Sequence, residues 1–183
     1  MVEADEYDRS FLQLNPDIAI ITSVEPDHMD IYKDNADLNN AFQEFAKRVK
    51  QKGILLVNKN INIDFEVPEN GNLFTYSAEI NADFMANYLR IEQGEQVFNA
   101  QMLDASQLDI YEQRLESIRF KLPGKHNVEN AIASMAIACL LGCKCEKIVD
   151  TVSSFQGVKR RFDQYQFRDA VYIDDYAHHP EEI

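Results

Sequence analysis

The chain has 183 residues, 45% of them apolar, which is enough for one ordinary core and too few for two. A formal charge of -13 and a pI near 4.6 argue against nucleic acid or an anionic membrane as partner. They leave room for a nucleotide, whose phosphates a few local cations and backbone donors can hold. No apolar run reaches the roughly 18 residues of a membrane span, and the acidic start Met1-Val2-Glu3-Ala4-Asp5-Glu6 is unlike a signal peptide. Cys139, Cys143 and Cys145, odd in number and without C-x-x-C spacing, predict reduced thiols and a cytoplasmic location.

The opening carboxylates Glu3, Asp5, Glu6 and Asp8 read either as a metal-facing cluster or as an acidic turn before the apolar pair Phe11-Leu12, and spacing favours the turn. Ile18 to Ile21 is a β-branched run without alternation, as in a strand covered on both faces. At its end stand Thr22, Ser23, Glu25, Asp27, His28 and Asp30, and in open parallel sheets that end lines the ligand crevice. A plain polar loop turned by Pro26 is the rival reading. Leu38 to Lys50 has apolar residues three and four apart and predicts a helix, with Gly53 as its stop and Ile54 to Val57 as a second buried strand. Strand, helix and strand together favour a parallel sheet.

Beyond Asn58 the character changes. Leu73 to Tyr76 predicts a short strand, and Asp83 to Glu92 with Gln96 to Leu103 a hairpin around Gln93-Gly94-Glu95. Leu108 to Leu115 and Ile118 to Leu122 add two more strand-like stretches. Val128 to Leu141 is apolar nearly all round and predicts a buried helix ended by Gly142. Cys145 to Phe155 predicts another helix, Gly157 a hinge, and Phe162 to Phe167 with Ala170 to Ile173 two strands turning at Arg168-Asp169. The fold class is therefore α/β: a mainly parallel sheet flanked by helices, with an adjoining antiparallel patch. A domain boundary is expected at Gly157, with residues 1–157 on one side and 158–183 opening a second domain.

Several positions carry candidate chemistry. Glu3 and His28 could share a divalent cation with Asp27 or Asp30 nearby; carboxylates suit magnesium, while the imidazole keeps zinc and manganese open. Lys125-His126-Asn127 and Asn130 lie just ahead of the buried helix. Asn127 could cap it and Asn130 could bond a flat polar ring such as adenine, or both could simply cap or face water. Arg160 and Arg161 could clamp phosphate oxygens, although two adjacent arginines are more often an exposed basic pair. His178-His179, after Asp174-Asp175, is a weak metal or phosphate signal because no third spaced ligand accompanies it. Cys143-x-Cys145 reads as packing.

Five motifs in order, V-E-A-D-E-Y-D, D-H-M-D-I-Y, L-P-G-K-H-N-V-E-N-A, G-V-K-R-R-F and D-D-Y-A-H-H-P, resemble those of the Mur ligases, ATP-dependent amide-forming enzymes of peptidoglycan assembly. The resemblance runs across nearly the whole chain and is weakest between Asn58 and Ser117. It implies the latter part of a central ATP-binding domain and the opening of a C-terminal Rossmann-like domain. No G-x-x-G-K-[ST] occurs, since Gly124-Lys125 lacks both the hydroxyl and the spacing, so this stretch alone is expected to be inactive. The resemblance further implies ATP and Mg2+ as cofactors, with Glu3 and His28 as metal ligands, Asn127 and Asn130 near the adenine, and Arg161 on the γ-phosphate. Asp175 would contact the nucleotide, and His178 and His179 would line the closed cleft. Lys47 is not expected to be the carbamylated lysine that several relatives use. The implied substrates are UDP-N-acetylmuramate and L-alanine, or in a related member a recycled tripeptide in place of alanine. Outside the family, a metal-dependent hydrolase or a non-enzymatic acidic interaction module are the rival readings.

Overall fold

The computed structural model describes residues 1–26, 31–102, 113–161 and 163–176. A six-stranded sheet runs in the order β1 (Ile18–Ile21), β2 (Ile54–Asn58), β3 (Asn72–Ser77), β4 (Phe84–Glu92), β5 (Glu95–Met102), β6 (Gln113–Phe120). The first three strands are parallel and in register, Ile21 beside Val57 and Asn58 beside Tyr76. β4 meets β3 in the parallel sense over only Tyr76–Phe84 and Ser77–Met85, and then forms an antiparallel meander with β5 and β6.

Two apolar layers cover the sheet. On one face, Leu55 and Val57 pack against α1 (Asn35–Lys47) and a short 3-10 helix, Tyr7–Gln13. Phe11 wedges between Phe42 and Phe45, with ring centroids 5.2 Å from each. On the other face, Ile54, Leu56, Phe74 and Phe98 meet α2 (Lys125–Leu140), and α3 (Cys145–Ser154) packs beside β6. β2 is thus buried along its whole length, as its unbroken apolar run predicts.

The strands and helices expected from periodicity are present, with four corrections. β1 is not covered on both faces: Ala19 and Ile21 face α1, but α2 crosses β3, β4 and β5, so Ile20 is exposed. Gly53 does not stop α1, which starts at an Asp34 cap accepting from the Asp37 N–H at 2.9 Å and ends at Lys47. The glycine serves instead a close backbone approach, since a Cβ there would lie 2.7 Å from the carbonyl oxygens of both Asp17 and Lys50. The two stretches around Ser117 are one strand, β6, kinked where Ser117 takes φ 57° and the register against β5 shifts; residues 108–112 lie outside the described residues. α2 begins at Lys125 rather than Val128, so Lys125-His126-Asn127 forms its first turn instead of preceding it.

The hairpin between β4 and β5 turns on Gln93 and Gly94, with φ of 52° and 83°, the left-handed pair that a two-residue turn needs. α2 ends as Gly142 predicts, the Cys143 N–H donating to the Ala138 carbonyl and the Gly142 N–H to that of Cys139. Past Gly157, β7 (Asp163–Phe167) and β8 (Ala170–Asp174) form a separate two-stranded sheet and pack chiefly on one another. Among the described residues, no helix is long and apolar enough to cross a membrane.

Because both carbonyls that crowd Gly53 belong to backbone, Gly53→Ala forces a main-chain shift. We expect it to lower the unfolding free energy by about 1–3 kcal/mol in urea titrations. A cost within a few tenths of a kcal/mol would mean the approach is looser than described.

Candidate nucleotide site at the carboxyl edge

In a parallel arrangement β1, β2 and β3 end on the same side of the sheet, and the first turn of α2 lies over the ends of β2 and β3. Among the described residues four polar side chains are buried, and three of them, Asn58, Ser77 and Glu129, meet at this edge. Asn58 closes β2 and donates from Nδ2 to Glu129 Oε2 at 3.4 Å, while its own Oδ1 accepts from the Asn60 N–H at 2.9 Å. Ser77 closes β3, and its Oγ accepts from the N–H groups of Glu79 and Ile80, both at 3.2 Å. That leaves the Ser77 hydroxyl proton to donate, and it and the Ala78 N–H face the Glu129 carboxyl.

The edge is also short of partners. Glu129 Oε1 and the Tyr76 hydroxyl are both buried without a hydrogen bond, the latter lying beside the Asn58 amide without reaching bonding geometry. Burial pushes the Tyr76 phenol up to about 12. Burial also raises the Glu129 carboxyl above the usual carboxylate range, against the opposing pull of the Ala78 N–H, Lys125 and Ser77.

Two further contacts hold the turn. Lys125 Nζ pairs with Glu79 at 2.6 Å, half-exposed on both sides and hence weak, and Gln96 Nε2 donates to the Gly124 carbonyl at 3.1 Å from β5. Asn127 does not cap the helix as expected. Its Nδ2 donates back to the Pro123 carbonyl at 2.7 Å, because the helix has already begun two residues earlier and Gly124 occupies the cap position. Asn130, one turn on, is exposed. The pair therefore shares one face of α2, flanking the buried Glu129.

The other candidate residues are placed as follows. Glu3 is exposed on the acidic opening, and no hydrogen bond or ion pair engages it among the described residues. The acidic-turn reading holds for its neighbours, since Asp5 accepts from the Tyr7 N–H at 2.8 Å and Asp8 from the Ser10 N–H at 3.0 Å. No group of three His, Cys, Asp or Glu side chains forms a metal cage among the described residues. A lone carboxylate is compatible with magnesium, which keeps most of its waters. His28, Asp27 and Asp30, like His178 and His179, lie outside the described residues.

The acidic opening is nevertheless tied to the segment that precedes α1. The buried Tyr32 hydroxyl donates to the Glu6 carbonyl at 2.6 Å, and Arg9 both stacks over the Tyr32 ring at 4.8 Å and pairs with Asp37. The Lys33 N–H and the Arg9 guanidinium hold Asp37 below its ordinary range. Lys47 pairs with Glu66 at 2.9 Å on the surface, on the face of the sheet away from α2. Arg161 and Asp175 are exposed on the segment past Gly157.

Sequence reasoning missed Glu129. The signal was available, since the positions three, four and seven residues on, Ile132, Ala133 and Ala136, are all apolar, which places Glu129 on a buried helix face.

In open α/β sheets the carboxyl ends of parallel strands are where ligands bind, and comparison with known proteins specifies which kind of α/β protein this is. The chain belongs to the Mur ligase family, residues 2–138 matching the Mur ligase middle domain. It is 40% identical over 185 residues to a UDP-N-acetylmuramate–L-alanine ligase of Cytophaga hutchinsonii, covering 100% of this chain and 38% of the relative. It is 42% identical over 184 residues to the protein of that name in Christiangramia forsetii, covering 100% of this chain and 37% of the relative. The fold also matches the MurF ligase from Thermotoga maritima in complex with ADP, with a TM-score of 0.68 at 19% identity over 91% of this chain and 37% of that one. The chain thus spans less than two-fifths of the length of these curated relatives.

A raised carboxyl contributes stability that is complete below the ordinary carboxylate range and is lost as pH rises through the raised value. Glu129→Gln, which carries no charge, should therefore gain on the wild type in urea midpoint as pH goes from 4 to 8. A difference independent of pH would contradict the burial of this group.

Proposed function

We propose that the protein containing this chain joins L-alanine to UDP-N-acetylmuramate in peptidoglycan precursor synthesis, in the cytoplasm, using ATP and Mg2+. The observation that carries this reading is identity of 40–42% along the entire chain to relatives bearing that activity in their names. A solved structure of the same fold holding ADP supports the choice of nucleotide.

In this reading Asn127 and Asn130, on one face of α2, present amides to the edge of the adenine, each amide able to donate and accept. The triphosphate then runs along the carboxyl ends of the strands towards the acidic opening. Glu3 and His28 would hold magnesium there, which supplies neutralisation of charge on the phosphoryl oxygens. Arg161, on the segment past Gly157, reaches the γ-phosphate, Asp175 contacts the nucleotide, and His178 and His179 would line the closed cleft.

The muramoyl carboxylate attacks the γ-phosphorus and ADP leaves. The alanine amine then attacks the resulting acyl phosphate, loses a proton, and expels inorganic phosphate as the amide forms. Positioning and charge stabilisation supply most of the acceleration, and closure of residues 158–183 with the domain they open excludes water from the acyl phosphate.

The test is ADP release by the full-length protein with each substrate omitted in turn. We expect strict dependence on ATP, UDP-N-acetylmuramate and L-alanine, no ligation by residues 1–183 alone, and a fall in kcat of about 10²- to 10³-fold in Arg161→Ala and His28→Ala. Preference for a tripeptide over alanine would assign the recycling ligase instead. Turnover without ATP would point to the hydrolase, and full activity in both variants to a non-catalytic module.

A further inference from the structure

Glu129 lies between the two asparagines in sequence and beneath them in space. At 6% exposure with Oε1 wholly buried, its carboxyl cannot touch a ligand in the cleft. What faces it is uniform in character. The Asn58 amide, the Ser77 hydroxyl and the Ala78 N–H are all donors, and they come from the ends of two adjacent strands. A carboxyl group has acceptor sites enough for all three, and in the structure Oε2 takes the Asn58 amide while Oε1 is unbonded.

We infer that Glu129 is a positioning residue for the nucleotide: by accepting from Asn58 at the end of β2, with the end of β3 packed beside it, it fixes the height and rotation of the α2 turn that presents Asn127 and Asn130. This rests on the reading of those asparagines as adenine contacts given above.

The other tethers of the turn cannot take this part. Lys125–Glu79 is half-exposed and worth little, and the Gln96 bond holds Gly124, ahead of the helix. Asn127 is itself bonded back to Pro123, so a shift of the helix turn moves the asparagine against its own loop. The apolar face of α2 fixes which side meets the sheet but leaves its finer rotation loose, because Ile137 and Ala138 beside that face are apolar as well. The charged and titratable groups around the carboxyl are Tyr76 from β3, Glu79 from the loop after it, and Lys125 from α2 itself.

The experiment compares full-length wild type, Glu129→Gln and Glu129→Ala by kcat, by KM for ATP and for the UDP-sugar, and by thermal midpoint. Glu129→Ala should raise KM for ATP about tenfold, with kcat within about threefold of wild type and KM for the UDP-sugar unchanged. Glu129→Gln keeps one acceptor oxygen in the same volume and should recover most of the loss, with KM for ATP up about threefold. If Glu129→Ala does not fold, the glutamine variant decides. An unchanged KM for ATP, with kcat and thermal midpoint falling together, would show a purely structural group and overturn the inference while leaving the proposed function intact. A wild type that neither binds nor turns over ATP would remove the proposed function and this inference with it.

Discussion

The structure depends on a polar contact buried in an otherwise apolar layer. Hydrophobic burial decides which side of α2 meets the sheet, since Val128, Ala131, Ile132, Met135, Ala136 and Cys139 share one face and are all interior, but it leaves the finer rotation and height of the helix open. The carboxyl of Glu129 has far fewer options. Left without donors in a dry interface it is strongly unfavourable, and its donors exist only at the ends of β2 and β3. A directional requirement thus selects one arrangement among several that non-directional packing would accept.

That constraint reaches function through geometry. The three parallel strands end together because β2, buried on both faces, has its register with β1 and β3 fixed by the core on either side. The helix turn carrying Asn127 and Asn130 is then held over that edge. On the opposite face, the tie from Tyr32 to Glu6, reinforced by Arg9, brings the acidic opening back against the segment leading into α1. The first turn of α2 and the acidic opening are thus anchored independently, on opposite layers of one sheet.

Much of this was legible in the sequence. Unbroken apolar runs gave β1 and β2, three-four spacing gave α1, and Gln93-Gly94 announced its hairpin, because in each case a local signal and the tertiary environment agree. Where they part company the reading slipped. Ile20 looks interior by composition but lies beyond the reach of α2. Gly53 looks like a helix stop, yet is required by two carbonyls, of which only that of Lys50 is nearby in sequence. Lys125, His126 and Asn127 read as a polar lead-in, although helical hydrogen bonding begins beneath them. Glu129 could be found only by asking which polar residue shares a face with apolar ones. The metal role of Glu3 and His28 rests on their side-chain chemistry and on the family resemblance, with no geometric signal among the described residues.

The most direct test of this account is a crystal structure of the full-length protein with a non-hydrolysable ATP analogue. The adenine should lie against Asn127 and Asn130 on the exposed face of α2, with Glu129 still bonded to Asn58 beneath them and the phosphates running along the strand ends. A nucleotide bound away from the first turn of α2, or a Glu129 side chain swung out to contact it, would contradict the account.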